Sequence, residues 1–319
     1  MALKTLYSSV TNTTNVMSIR FSEAYNDSAP LVIIEALNTS LSLGDSIDVS
    51  IGYVGDYTHI FTGYVKEINT TTPETKIRIS AYGAMIRAVD FFIASSDPNN
   101  PFSRENISAE SLVRDLVALA GLTNFGYDAT SFTFATTAPM EVNLVAAYDF
   151  CNSIANTLAW HLYADKAGKV WFVDRKPYIV PGDTPTATIT VNEITQASNS
   201  ISERDLRNRI VVYGGNDIYA DASASSPYLP AGFYKTVVAS AYWIDSQSMA
   251  QKAADYNLAA LNRLTEEATI TILGDASLST RDIITVIETH TGISSDWIIY
   301  GTEHVFGKSG FLTTLTLRK

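Results

Sequence analysis

The chain has 319 residues, of which 46% are hydrophobic and only 17% are charged. This length fits two or three domains with packed cores, and this composition excludes a largely disordered chain. The net charge is −11, from 33 acidic and 22 basic residues. Because phosphate contacts need clustered Lys and Arg, which the sequence lacks, stable or sequence-specific nucleic-acid binding is excluded. An acidic surface favours solubility, or the wall of a channel that DNA passes without sticking.

Targeting and redox signals are absent from the sequence. The first residues lack a basic start followed by an apolar run, so no secretory signal is expected. Apolar stretches such as Leu31–Ile34 and Leu116–Leu122 are much shorter than the roughly 20 residues that span a bilayer. The single cysteine, Cys151, excludes an intrachain disulfide and a multi-cysteine metal site. We therefore expect a chain made in the cytoplasm, without a membrane anchor, cofactor or metal.

The first third of the chain is predicted to form strands. Ile47–Ile51, Tyr64–Ile68 and Lys76–Ser80 alternate apolar and polar residues, as half-buried strands do. Asp97–Pro101 contains two prolines and predicts a domain boundary. Residues 1–95 are therefore interpreted as a first small β-barrel domain.

The middle of the chain changes to helical periodicity. Ser108 is placed to cap a helix by accepting its first amides, and Gly121 is placed to end that helix. A second helix is predicted from the apolar face that contains Ala147, Phe150, Cys151, Ile154, Ala155 and Leu158. The strand Lys169–Val173 follows a turn, and Pro177, Pro181 and Pro185 close the segment. Residues 96–185 are thus expected to form a small α+β insert domain.

Strands return in the last third, residues 186–319, which is interpreted as a second β-barrel domain with one helix. The predicted strands include Thr188–Val191, Arg209–Tyr213 and Tyr234–Ala239, and the helix has an apolar face that runs from Met249 to Leu264. Residues 216–232 are rich in Ala, Ser, Tyr and Pro without periodicity, which predicts a loop that is functional or ordered by a partner. The fold class is therefore mainly β with an α+β insert, in which two related small tube-like barrels flank the insert.

An internal repeat supports the relation between the two barrels. Leu41–Val49 aligns with Leu278–Val286 at a constant shift of 237 (278 − 41), with five identities. Beyond the next loop, Ile60–Gly63 aligns with Ile298–Gly301 at a shift of 238 (301 − 63), which implies a one-residue insertion. At that shift Ile77 and Ile79 fall on Leu315 and Leu317, so the apolar positions stay in phase. Chance similarity is the alternative, because alternation is common to all β-hairpins. If the repeat is real, three chains in a ring would present six similar barrels and match a sixfold tube.

The order of barrel, helical insert and barrel resembles a known family. The resemblance also involves Gly44-Asp45 before a strand, the helix–turn–strand unit from Phe150 to Trp171, the run Ser200–Val212, and the helix Gln247–Leu264 leading into Ala268–Asp275. Together these features resemble the late control protein D family of phage tail hubs, which is similar to the base of type VI secretion spikes. One departure is Thr280-Arg281-Asp282, where the family usually has a glycine-containing turn.

The resemblance implies a structural, non-enzymatic hub. It implies a homotrimer with pseudo-sixfold symmetry that adapts the hexameric tail tube to a threefold spike or tip, with a channel for DNA passage. Its implied partners are the tail tube protein, distal tail or baseplate proteins, a spike or tip fibre protein and the tape-measure protein, in the virion. The alternatives are a carbohydrate- or receptor-binding tail tip protein and, less consistent with the layout, a cell-wall hydrolase.

The sequence offers no catalytic, cofactor-binding or metal-binding residues. The four histidines, His59, His161, His290 and His304, show no paired metal-ligand spacing. His59 and His290 are expected in surface loops, and His161 is expected at a helix end, where an imidazolium would favour the dipole. Cys151 is interpreted as a core residue, because a reactive thiol needs a nearby base and exposure.

Two acidic pairs and one glycine pair are the other chemical candidates in the sequence. Glu203 with Asp205, and Glu266 with Glu267, are acidic neighbours, but no cleft is predicted that would make either a glycosidase pair. Gly214-Gly215-Asn216 follows a strand but lacks the G-K-[ST] ending of a phosphate loop, so it is interpreted as a turn. The tyrosine-bearing segment Tyr219–Tyr234 is either a protein interface or ordinary surface.

Overall fold

A computed structural model describes residues 4–72, 75–94, 102–130, 132–136, 139–174, 176 and 178–319. Within these ranges most regular structure is β-strand and four segments are α-helix, so the predicted mainly β fold with a small helical insert is confirmed. The boundary predicted around Asp97–Pro101, and Pro177, lie outside the described residues.

The first six strands form the N-terminal module, residues 6–83. They are β1 Leu6–Val10, β2 Thr13–Ala24, β3 Leu31–Thr39, β4 Ser46–Tyr53, β5 Asp56–Thr71 and β6 Lys76–Gly83. Their spatial order is β1-β4-β5-β6-β3-β2, and the pair Val10–Thr13 closes the ring between β1 and β2. Alternate residues point inward along each strand, so the core is filled by β-branched and aromatic side chains such as Ile19, Ile34, Ile47 and Phe61.

The helical insert, residues 84–185, follows this module. Its elements are α1 Ile86–Asp90, β7 Phe92–Ile93, β8 Phe102–Arg104, β9 Ile107–Ser108, α2 Ala109–Leu119, β10 Phe125–Tyr127, β11 Thr133–Phe134, β12 Met140–Val142, β13 Val145–Ala146, α3 Ala147–Leu158, β14 His161–Ala164 and β15 Val170–Val173. Gly121 has a φ of 81° after α2, as a helix stop requires. Ser108 is at the N-cap position, but its hydroxyl donates to Ser111 Oγ and caps no backbone amide, so the predicted cap is wrong.

The last part of the chain has two components. Its elements are β16 Ala187–Thr190, β17 Ile194–Ser202, β18 Arg209–Tyr213, β19 Tyr219–Ser223, β20 Thr236–Ser240, α4 Gln247–Leu261, β21 Thr265–Leu273, β22 Ile283–Ile287, β23 Ser295–Gly307 and β24 Gly310–Arg318. Six of these strands form the C-terminal module, in the spatial order β16-β22-β23-β24-β21-β17. Its core contains Ile270, Ile284, Trp297 and Leu315. A pairing between β2 and β23 joins both modules into one twelve-stranded sheet.

Residues 203–264 leave the C-terminal module between β17 and β21, and we call them the excursion. Its three strands form a separate sheet in the order β19-β18-β20, against which α4 packs. The core of this unit is continuous with that of the helical insert, as shown by the Phe150 and Trp243 rings, whose centroids are 5.3 Å apart. The strands predicted at 209–213 and 234–239 are therefore present, but they do not belong to the second barrel. The loop predicted over 216–232 is also wrong in part, because β19 lies within it.

Candidate assembly interface

The two modules contain the same turn before their fourth strand. In the N-terminal module the Ser42 amide donates to Asp45 Oδ2 at 2.8 Å, and in the C-terminal module the Ser279 amide donates to Asp282 Oδ2 at 2.8 Å. Gly44 has a φ of 86°, and Arg281, at the equivalent position, has a φ of 84°. The repeat at shift 237 is therefore confirmed by backbone geometry. The missing glycine in Thr280-Arg281-Asp282 leaves the turn unchanged.

The second stretch of the predicted repeat is out of register. The Val65 amide donates to the Asp45 carbonyl at 3.0 Å, and the Ile299 amide donates to the Asp282 carbonyl at 2.8 Å. Val65 and Ile299 are thus equivalent, which gives a shift of 234 (299 − 65) instead of 238. The C-terminal copy is three residues shorter between these points, whereas the sequence alignment made it one residue longer. The predicted and observed shifts differ by four residues (238 − 234). Because four is an even number, the predicted alignment still places the same side chains on the buried face.

The other ladders of the modules agree with this corrected register. Ser46 pairs with Tyr64, and its equivalent Ile283 pairs with Ile298. Val65 pairs with Ala81, and Ile299 pairs with Leu317, so β6 and β24 are related by a shift of 236 (317 − 81). Ile34 pairs with Ile79, and Ile270 pairs with Leu315, which gives 236 for β3 and β21 as well (270 − 34).

Irregularities in the strands repeat at equivalent positions. The register of β5 shifts at Lys66 and that of β23 shifts at Tyr300, one residue after Val65 and Ile299. The register of β2 shifts at Met17 and that of β17 shifts at Thr195. Bulges are specific features of a backbone, so their repetition makes chance similarity between generic hairpins untenable. The shift between β2 and β17 is 178 (195 − 17).

A cross-strand polar pair is also repeated, with its residues exchanged. Thr62 Oγ1 on β5 donates to Asp48 Oδ1 on β4 at 2.7 Å. At the equivalent site, Thr285 Oγ1 on β22 donates to Asp296 Oδ1 on β23 at 2.6 Å.

The modules differ at their first strand, because β1 is antiparallel to β4 while β16 is parallel to β22.

The module joint is the antiparallel pairing of β2 with β23. It runs from Ser18 opposite Gly307 to Ala24 opposite Gly301. At its end the Tyr25 and Tyr300 rings stack with centroids 5.1 Å apart, and the Tyr25 amide donates to the Tyr300 carbonyl at 2.7 Å. The joint therefore combines main-chain hydrogen bonds with aromatic packing.

Arg281 connects three parts of the molecule at the module joint. Its Nη1 lies 2.7 Å from Glu23 Oε1 of β2, and both side chains are about nine-tenths buried, with 9% and 13% exposed. Its Nε donates to His161 Nε2 of the insert at 2.9 Å, and its guanidinium lies 3.9 Å from the Tyr163 ring centroid. The sequence alone marks this residue only as a departure from the usual glycine-containing turn. No local signal could identify its role, because its partners are more than a hundred residues away.

Several strand edges face no other strand among the described residues, and two of them belong to β17 and β5. The β17 edge, residues 198–202, belongs to a strand whose one ladder is with β21. The β5 edge, residues 67–71, belongs to the half of β5 that pairs with β6 alone, because the ladder to β4 ends at Tyr64. By the shifts above, these edges are equivalent to the two strands of the module joint. They are the candidate assembly interface.

The predicted positions of the histidines are partly wrong. His290 is exposed in a loop, as predicted. His59 instead lies half-buried in β5, with Nε2 3.0 Å from the Lys166 carbonyl. His161 begins β14, after α3 has ended at Leu158, and its Nε2 lies 2.9 Å from Arg281 Nε, so it is not at the helix end as predicted. His304 is buried, and burial lowers its pKa to about 4.

The other chemical candidates lie apart and have structural partners. Cys151 is fully buried as predicted, and burial raises the pKa of its thiol. Glu266 and Glu267 point to opposite faces of β21, so they do not converge. Glu203 forms an ion pair with Lys235, with Oε1 3.3 Å from Nζ.

The glycine pair makes a turn as predicted, because the Gly214 amide donates to the Ile218 carbonyl at 2.9 Å within the β18–β19 connection. In the part of the chain that the structure describes, no group of three or more His, Cys, Asp or Glu side chains is arranged to hold a metal ion. No helix within the described ranges has the length and apolarity that a membrane crossing requires.

A cleft of about 700 Å³ lies where both modules meet the insert. Its lining includes Glu23, Asp165, Asp282 and Arg281. Each acidic side chain in this set holds local structure: Glu23 pairs with Arg281, Asp282 accepts from the Ser279 amide, and Asp165 accepts from the Trp171 indole at 2.8 Å. The cleft is therefore a seam between folded parts.

Comparison with solved structures identifies the fold. A tail protein from Neisseria meningitidis aligns with 99% of this chain and 97% of its own, with a TM-score of 0.72 and 12% identity. The 43 kDa tail protein of prophage MuSo2 from Shewanella oneidensis aligns over 99% and 98%, with a TM-score of 0.71 and 14% identity. The fold is that of phage tail proteins.

A component of the Escherichia coli type VI secretion system is also similar, with a TM-score of 0.57 and 9% identity over 98% of this chain and 76% of its own. It is described as structurally similar to bacteriophage T4 tail proteins gp27 and gp5. No family model matches the chain, and no curated protein matches it. The resemblance to tail hubs and type VI spike components that the sequence indicated is thus confirmed at the level of the fold.

Proposed function

We propose that this chain is a structural hub subunit of a phage tail or a related injection machine. Three copies form a ring that presents six similar β modules, adapts a hexameric tail tube to a threefold spike or tip, and leaves a central channel. The observation that carries this proposal is the duplicated module, with its five equivalent strands in the same register. The structural neighbours among phage tail proteins and type VI components support the same role.

Symmetry explains why duplication suits such a hub. A closed ring of identical subunits has one contact surface for each subunit. Two equivalent modules in one chain double the number of surfaces, so a threefold ring can meet a sixfold tube with every tube subunit engaged. The same ring keeps threefold symmetry for the partner on its other side.

The remaining assignments follow from this role. The net charge of −11 suits a channel through which DNA or the tape-measure protein passes without binding. The proposed partners are the tail tube protein, distal tail or baseplate proteins and a spike or tip fibre protein, and the proposed location is the virion. The chain is proposed to have no enzymatic activity, because Glu23, Asp165 and Asp282 of its cleft are engaged in holding turns and an ion pair.

A size measurement with imaging tests the proposal. The purified chain, alone and with its tube protein, is examined by mass photometry and negative-stain electron microscopy. We expect a species of three times the chain mass, and ring-shaped particles whose averages show six similar lobes. A stable monomer under both conditions, with no rings, would reject the hub.

A carbohydrate- or receptor-binding tip protein is the second candidate. It is favoured by exposed aromatic side chains on the excursion, namely Tyr228, Phe233, Tyr234 and Tyr242, each at least half exposed. Such rings suit sugar stacking as well as protein contacts. Saturable binding on a glycan array that is lost on Tyr242→Ala would favour this candidate, whereas a hub gives no such signal.

A further inference from the structure

The module joint shows how one of these β modules binds another. β2 of the N-terminal module pairs with β23 of the C-terminal module, residue for residue, from Ser18–Gly307 to Ala24–Gly301. The strand equivalent to β2 in the C-terminal module is β17, and the strand equivalent to β23 in the N-terminal module is β5. Each of these two strands has an open edge in the described part of the chain.

The shifts convert the register of the joint into a register for these edges. Glu23, opposite Thr302 in the joint, is equivalent to Ile201 at shift 178, and Thr302 is equivalent to Ile68 at shift 234. The same conversion places Ser202 opposite Glu67. The other opposite residues are Ser200 with Asn69, Asn199 with Thr70 and Ser198 with Thr71.

The side chains at these positions are complementary. Ile201 is 62% exposed in the chain, and its proposed partner Ile68 is a half-buried residue at the rim of the N-terminal core. Glu203 and Lys66 are equivalent to the stacked Tyr25 and Tyr300 of the joint, and they carry opposite charges on exposed side chains, 56% and 40% exposed. The remaining positions are Ser, Asn and Thr, apart from Glu67 opposite Ser202, and these polar side chains are compatible with a neighbouring strand.

We propose that the β17 edge of one chain pairs antiparallel with the β5 edge of a second copy, in the register of the module joint. This inference rests on the proposed hub and names its subunit contact. The two edges lie on different modules, so the contact is head-to-tail and each bound copy presents a new open edge. Because the joint within a chain and the contact between chains then share one geometry, successive modules are related by equal steps, and three chains close the ring.

Disulfide trapping tests the register. The double variant Ser200→Cys/Asn69→Cys places thiols on residues that would lie directly opposite, about 4.5–5.5 Å apart between Cα atoms, which is within disulfide range. Cys151 is fully buried and does not compete. On oxidation we expect covalent dimers and closed covalent trimers on a non-reducing gel, with at least tenfold more product than either single variant gives.

A matched control moves one thiol along the same edge. Ser200→Cys/Thr71→Cys places the pair two residues out of register, and it should give little product. Ser202→Cys/Glu67→Cys is a second in-register pair, which serves if the first variant folds poorly. Equal or greater product from the out-of-register pair would overturn the proposal.

The outcome separates this inference from the hub itself. Mass photometry of the untreated protein reports the ring independently of the thiols. Rings that form but resist both in-register pairs would overturn the strand contact while leaving the hub intact. Monomers that neither form rings nor cross-link would overturn both.

A charge exchange gives a second, independent readout. Glu203→Lys and Lys66→Glu should each reduce the trimer fraction several-fold, because each places like charges opposite one another. The double exchange Glu203→Lys/Lys66→Glu should restore it. Since the single variants also lose the intrachain pairs with Lys235 and Asp90, only the restoration is diagnostic. A double variant as weak as the singles would count against the contact.

Discussion

The N-terminal and C-terminal modules share their backbone pairing and differ in the side chains that support it. The fourth-strand turn has the same hydrogen bonds and the same left-handed residue in both, but that residue is Gly44 in one and Arg281 in the other. A cross-strand Asp–Thr pair is present in both with its residues exchanged. Strand register and turn geometry therefore define this module, whereas side-chain identity at a given position can change with its neighbours.

Among the differences between the modules, the replacement of Gly44 by Arg281 at the equivalent turn position is expected to have the largest effect on stability. Arg281→Ala removes one partner of a buried ion pair and leaves Glu23 without its cation, so we expect a loss of about 3–5 kcal/mol in the free energy of unfolding. Arg281→Gly should be less harmful by about 1–2 kcal/mol, because glycine adopts the left-handed conformation without strain. Urea unfolding monitored by tryptophan fluorescence measures both.

Gly44→Ala is the matched control in the other module. A Cβ there would meet no atom within 4 Å, so only the backbone strain of about 1–2 kcal/mol is expected. If Arg281→Ala lowered the free energy of unfolding no more than Gly44→Ala, the contacts of Arg281 would contribute nothing to stability. These contacts would then not explain why a residue other than glycine is found in this left-handed turn position.

The modules should also differ in their response to acid. His304 of β23 is buried with a pKa of about 4, and its equivalent on β5 is the exposed Thr70. The unfolded state binds a proton near pH 6.5 and the folded state only near 4, so stability falls as pH decreases across this window, by up to about 3 kcal/mol. His304→Asn, which cannot titrate, should flatten the slope of unfolding free energy between pH 6.5 and 4. Parallel slopes for the variant and the parent would contradict this assignment.

Two glycines distinguish the structural register from the sequence alignment. The alignment at shift 238 pairs Gly63 with Gly301, whereas the structure makes Gly301 equivalent to Glu67. A Cβ on Gly63 would lie 2.2 Å from the Tyr82 carbonyl oxygen, so Gly63→Ala should cost about 1–3 kcal/mol. A Cβ on Gly301 would have its closest contact at 3.4 Å, so Gly301→Ala should change stability by less than about 0.5 kcal/mol. Thermal melts of both variants decide between them, and equal losses would favour the alignment.

The smallest expected effects concern the shared turn. Asp45→Ala and Asp282→Ala each remove the acceptor of a 2.8 Å hydrogen bond to a backbone amide, so each should cost about 1 kcal/mol. The two sites are on different modules, so the losses should add in the double variant. Urea midpoints of the three variants measure this. A loss confined to one module would mean that the turns are alike in shape but not in contribution.

The sequence predicted the features that depend on local chemistry. The stretch Leu41–Val49 and its copy were aligned correctly, because a short turn with Asp at a fixed position is encoded by adjacent residues. The register beyond the loop was wrong by four residues in β23 and by two in β24. Alternation of apolar and polar residues specifies which face is buried, but it repeats every two residues and cannot count the pairs of a ladder. Only the hydrogen bonds between distant strands fix that number.

The parts that the sequence missed depend on distant contacts. The strands of the excursion were assigned to the second barrel, because nothing local indicates that their apolar faces pack on the insert, as Trp243 does on Phe150. His161 was placed at a helix end, whereas Ala159 takes a left-handed conformation and the chain turns into β14. The open edges of β17 and β5 could not be inferred either, since an edge is defined by the absence of a neighbour.

The aromatic module joint and the serine-rich edge of β17 differ in a way that affects the solubility of the unassembled chain. Tyr25 and Tyr300 stack on each other within one chain, so folding alone removes the contacting faces of their rings from solvent. The β17 edge stays exposed to solvent until another chain binds. A hydrophobic edge strand exposed in this way would promote non-specific aggregation. Apart from Ile201, the side chains of this edge carry hydroxyl and amide groups, which keep it soluble while its main chain can still form hydrogen bonds. The module joint forms when one chain folds, whereas the proposed β17 contact forms only when two chains meet. The free chain must therefore keep the β17 edge soluble but not the joint, and the two differ in composition accordingly.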